Sequence, residues 1–123
     1  MGAKVFDIEE RTAQFGASIV QFCKSLEKND INRELARQLV KAGTSVGANY
    51  NEADGAITKR DFRHKIAISR KESKESAYWL RMLSKANPDR VSDCDLLRQE
   101  ARELTLIFSA ILNKQKSVRE DTD

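Results

Sequence analysis

The chain has 123 residues, 40% hydrophobic and 33% charged, with a net charge of +3, five glycines and one proline. That length suits one domain with a real core, and turn-formers this scarce exclude an all-β chain with many turns. No apolar run approaches the ~20 residues needed to span a bilayer, and the opening MGAKVFDIEER lacks the apolar stretch of a secretory signal. A cytoplasmic protein without a membrane segment is therefore expected. Cys23 and Cys94 each fall inside an apolar pattern, as buried, reduced thiols do.

The first helix is expected over about 7–28. Asp7 and Glu10 have capping-box spacing, and Ile8, Thr12, Phe15, Ile19, Phe22 and Leu26 recur in steps of four and three. Asn29-Asp30 signals a turn.

The second helix is expected over about 31–55, with Asp30 or Asn32 as its cap. Its seam runs Leu35, Leu39, Ala42, Val46, Asn49, Ala53 and Ala56, shrinking toward the C-terminal half. Gly43 and Gly47 lie in this helical pattern, although Gly costs about 1 kcal/mol against Ala there. Four apart, they leave a groove on one face and are read as helix-packing positions within the chain, with a subunit contact as the alternative. Asn49 is polar within the stripe and can fix register. Gly55 is expected to end the helix in the left-handed conformation.

The third helix is expected over about 58–86, capped by Thr58 and stopped ahead of Pro88. One stripe holds Phe62, Ile66, Ser69, Ser73, Ser76 or Ala77, Leu80 and Leu83. Another aligns Ile68, Glu72, Glu75, Trp79 and Met82. Asn49, Glu52, Glu72 and Glu75 are read together as a structural polar network. The fourth helix is expected over about 92–116 on Leu97, Ala101, Leu104, Phe108 and Ile111, with a frayed polar tail after Lys114. Together these elements predict a single all-α domain over 1–123, an antiparallel up-down-up-down four-helix bundle.

Charge is unevenly spread. Residues 58–86 carry nine basic and three acidic side chains, so the remainder of this +3 chain is net acidic. That asymmetry points to a polyanion, and Lys59, Arg60, Arg63, Lys71 and Lys74 are the expected phosphate contacts. A solvated helix face is the plainer alternative.

Catalytic patterns are missing. The chain has no G-x-S-x-G, no phosphate-binding Walker loop and a single histidine, His64, set among Arg60, Arg63 and Lys65. Glu52, Glu72 and Glu75 fall on adjacent helices, but Glu72-Ser73-Lys74-Glu75 lacks the histidine of a di-metal bundle motif. No catalytic residue, metal or cofactor is expected.

The stretches LARQLVKAGTSVGANYNEADGA (35–56) and KRDFRHKIAISRKESKESAYWLRML (59–83) resemble the four-helix-bundle family of proteins encoded in intervening sequences of 23S ribosomal RNA genes. It is also labelled an S23 ribosomal-protein family. The family's usual Glu-Gly pair is spread here over Glu52-Ala53-Asp54-Gly55. The resemblance implies an antiparallel bundle assembled into a ring, typically a homopentamer, and supplies no catalytic residue. A similar protein is the accessory component of diversity-generating retroelements, a basic pentamer that binds nucleic acid and a reverse transcriptase. The function expected is a non-enzymatic oligomer binding RNA or DNA without strong sequence preference. The alternative is a scaffold docking a protein such as a reverse transcriptase or a ribosomal component.

Overall fold

A computed structural model describes residues 7–122, with side chains through Lys114. Four helices make up nearly all of it: α1 (Ile8–Lys24), α2 (Asp30–Asp54), α3 (Lys59–Ala86) and α4 (Val91–Thr122), the last entered through a 3-10 turn at Pro88–Arg90. Each helix packs on its neighbours in sequence, and α4 closes the ring against α1 through a thinner seam. Short connections force consecutive helices to run antiparallel, so the expected bundle is the observed fold.

The core follows the predicted seams. Phe15 and Ile19 of α1, Leu39 and Val46 of α2, Ile66, Leu80 and Leu83 of α3, and Ala101, Leu104 and Phe108 of α4 are all buried. Midway along α3 the core is serine rather than leucine. Ser69, Ser73 and Ser76 are fully buried, and Ser69 Oγ donates to the Val46 carbonyl of α2 at 2.9 Å. Ser73 and Ser76 donate to carbonyls one turn back in their own helix, which leaves these hydroxyls satisfied.

The helix ends depart from expectation in several places. Asp7 makes no side-chain cap bond. Helix α1 stops at Lys24 because Ser25 turns back, its hydroxyl donating to the Phe22 carbonyl at 2.7 Å. The cap of α2 is Asn29, whose side chain accepts from the Asn32 amide, rather than Asp30 or Asn32. Gly55 has φ −94°, so α2 ends without a left-handed residue. Thr58 caps α3 as expected, accepting from the Asp61 N–H at 3.0 Å. Helix α4 starts at Val91 and runs to Thr122, past the expected fraying point, because no Gly or Pro interrupts the chain after Pro88.

Candidate nucleic-acid interface

The basic residues gather on α3. Its 28 residues form one uninterrupted helix, about 42 Å long at 1.5 Å per residue. Lys59, Arg60, Lys71 and Lys74 are exposed, and Arg63 is half-buried. Arg63 Nη1 donates to the Leu112 carbonyl of α4 at 2.7 Å, which anchors one edge of its guanidinium. Lys71 Nζ lies 3.6 Å from Glu72, a loose pair. Lys59, Arg60 and Lys74 form no ion pair with another described side chain.

Helical spacing puts all five on one face, and the same face carries three further cations that charge counting alone does not single out. They are Arg70, which leans on Ser109 of α4 at 3.4 Å, and the exposed Arg81 and Lys85. The signal that finds them is an 11-residue repeat. Lys59-Arg60-x-x-Arg63 recurs as Arg70-Lys71-x-x-Lys74 and again as Arg81-Met82-x-x-Lys85. Eleven residues make about three turns, so the three groups stack along one side of α3, about 16 Å apart. Between them lies a shallow depression lined by Ala67, Arg70, Lys71, Lys74, Glu75 and Tyr78. Tyr78 is 53% exposed, its ring edge-on to Trp79 with centroids 5.1 Å apart. Lys65 lies off this face and pairs with Glu52 of α2 at 2.6 Å.

Glu72 and Glu75 stay beside the stripe, whereas the acids of α4 that face α1 do not. Glu72 is mostly buried. On α4, Glu100 and Glu103 turn toward α1, where Arg11 Nε meets Glu100 at 2.7 Å and Arg11 Nη2 meets Glu103 at 2.6 Å. The Glu100 hydrogen bond leads in raising the Arg11 pKa above its ordinary value. Hydrogen bonds from Gln99 and then Arg11 hold the Glu103 carboxyl below the usual carboxylate range. Glu75 is the one acid on the rim of the depression.

The four residues expected to form a polar network are not joined. Asn49 donates to the Ser45 carbonyl of its own helix, Glu52 pairs with Lys65, and Glu72 sits by Lys71. No hydrogen bond links any two of the four, and Glu52 and Glu75 are both exposed. The buried polar pair lies instead at the opposite end of the bundle. Asn32 and Asn87 exchange amide hydrogen bonds in both directions at 2.9 Å. Their second donors reach the Glu27 and Leu83 carbonyls. In the sequence the first of these reads only as a cap and the second only as a helix stop.

Gly43 and Gly47 lie where α2 crosses α1. A Cβ on Gly43 would come within 2.9 Å of Ile19 Cγ1, and one on Gly47 within 3.2 Å of Thr12 Oγ1. His64 is exposed. Among the described residues, no three His, Cys, Asp or Glu side chains come together as a metal site. Cys23 and Cys94 are free thiols, each pushed up to about 11 by burial. No helix among the described residues is long and apolar enough to cross a membrane.

Fold and surface thus define an antiparallel four-helix bundle with one strongly basic edge. The 23S rRNA-intervening sequence protein family model matches residues 4–110, and the chain belongs to that family. A solved structure of a protein of unknown function from the S23 ribosomal protein family of Bacteroides thetaiotaomicron is similar, with 26% identity and a TM-score of 0.77. The match covers 85% of this chain and 96% of that one. No curated protein sequence matches the chain.

Proposed function

We propose that this protein is a non-enzymatic, cytoplasmic nucleic-acid-binding bundle that holds RNA or DNA by its phosphates along α3. The observation that carries this reading is the line of eight cations on one face of α3, with Glu100 and Glu103 of the adjoining α4 drawn to Arg11. Phosphate contacts of this kind position a nucleic acid and carry no base information, so weak sequence preference goes with them. Self-association into a ring, taken as five copies, would multiply a modest patch into a strong one.

Gel shifts with RNA and DNA across a salt series test it. Wild type binds at low salt and weakens steeply as salt rises. Replacing Lys59, Arg60, Arg63, Lys71 and Lys74 by Ala in a folded protein abolishes the shift. Binding unchanged by that replacement would sink the assignment.

A protein-docking scaffold is the second reading, favoured by Leu96 and Leu106, which stand 73% and 68% exposed on α4. A reverse transcriptase or ribosomal component captured equally well after nuclease treatment would favour it.

A further inference from the structure

We infer that the ligand of the α3 face is a double helix, lying with its axis along α3, and that the three basic groups meet successive crossings of its two phosphate strands. The inference rests on the nucleic-acid reading of this face and adds the form of the ligand.

Spacing carries it. The groups Lys59-Arg60-Arg63, Arg70-Lys71-Lys74 and Arg81-Lys85 repeat every 11 residues, about 16 Å along a helix. A line drawn along a duplex parallel to its axis meets one of the two strands, on average, every half turn. One turn of B-form DNA is about 34 Å, so half a turn is about 17 Å. Three groups therefore span about one full turn and meet three crossings. The two grooves differ in width, which moves alternate crossings off even spacing, and long Lys and Arg side chains absorb that offset.

The composition of the face argues the same way. Single-strand binders stack successive bases on a series of aromatic rings. Here the α3 face presents one exposed aromatic, Tyr78, against eight cations. Ala67 lies between the first two groups, where no charge interrupts the spacing. A rod of this kind matches the backbone of a duplex and leaves its base edges unread.

The test separates register from bulk charge. Binding is measured by fluorescence anisotropy over a salt series with duplex DNA and duplex RNA of about 24 base pairs, and with an unstructured oligothymidine strand of the same length. Wild type is expected to bind at least one duplex about tenfold or more tighter than the single strand at equal salt. Arg81→Ala with Lys85→Ala is expected to lower the salt slope on the duplex by about 2, one for each phosphate no longer neutralised.

A third variant adds Ala67→Lys and Tyr78→Lys to that pair, which restores the charge on the same face but in the gaps between the groups. It is expected to bind like the doubly depleted variant. Binding restored to the wild-type level would overturn the inference, since bulk charge would then suffice. A single strand held as tightly as either duplex would also overturn it, while leaving the basic face a nucleic-acid site. No binding by wild type to any of the three ligands at low salt would remove the underlying reading itself. Circular dichroism confirms that each variant is folded.

Discussion

At the scale of single residues, the Asn32–Asn87 pair shows how a buried polar group is made tolerable. Both side chains are buried, 3% and 7% exposed, and every amide hydrogen has an acceptor. The pair ties the α1–α2 connection to the end of α3. Asn87→Ala strands the Asn32 amide in a site that water barely reaches. The expected loss is about 1–3 kcal/mol, measured by urea unfolding. The double variant Asn32→Ala with Asn87→Ala should lose less than the sum of the singles, and strictly additive losses would mean the two amides act independently. The basic groups of α3 show the reverse situation. Exposed cations contribute little to folding, which leaves them available for a ligand.

At the scale of elements, the α1–α2 crossing depends on the absence of side chains. Gly43 faces Ile19 so closely that a methyl group cannot enter without displacing Cγ1, only 2.9 Å away. A β-branched side chain has few alternative rotamers on a helix. Gly43→Ala should therefore destabilise the protein by about 1–3 kcal/mol, even though Ala is the better helix former. Combining it with Ile19→Ala should cost less than the two separate losses summed, because the new methyl fills part of the space vacated. Thermal or urea unfolding of the four proteins in this cycle provides the check, and a neutral or stabilising Gly43→Ala would refute the close-packing role. The long α3 has a different dependence. It lies between α2 and α4, with Ser69 bonded to the Val46 carbonyl on one side and Arg63 to the Leu112 carbonyl on the other. Those bonds tie α3 to both of its neighbours.

At the scale of the molecule, α1 is the least embraced helix. It packs on α2, and its contact with α4 is thin. Polar clips reinforce that seam: Arg11 with Glu100 and Glu103, and Arg90 with Ser25 at 2.9 Å and over the Phe22 ring at 5.0 Å. Amide hydrogen exchange should therefore be faster in α1 than in α3. The depressed carboxyl of Glu103 supplies a pH dependence. Its contribution is present at neutral pH and is lost as pH falls through its lowered folded value, below the ordinary Glu value of about 4.3. After correction for intrinsic rates, acidification from neutral pH to about 3 should speed exchange in α1 relative to α3, and Arg11→Ala should do so already at neutral pH. Exchange of α1 and α3 in step under all these conditions would disprove the weak-seam description.

Much of this architecture is legible in the amino-acid order. Apolar spacing of three and four, few turn-formers and short connections determine four antiparallel helices, because each helix must bury one stripe against its neighbours. The basic bias of 58–86 is legible too, as a matter of composition. Tertiary structure decided what spacing leaves open. Whether Asn49 or Asn32 meets a buried partner depends on which loop end lies opposite, across 55 positions in the case of Asn32 and Asn87. Whether Glu52 joins Glu72 or Lys65 depends on the rotation of α3 against α2, which the buried serines and the Ser69 bond set. Likewise, a patch of charge becomes a line of three evenly spaced groups only because α3 stays one unbroken helix and the α4 acids are drawn to Arg11 on the other side.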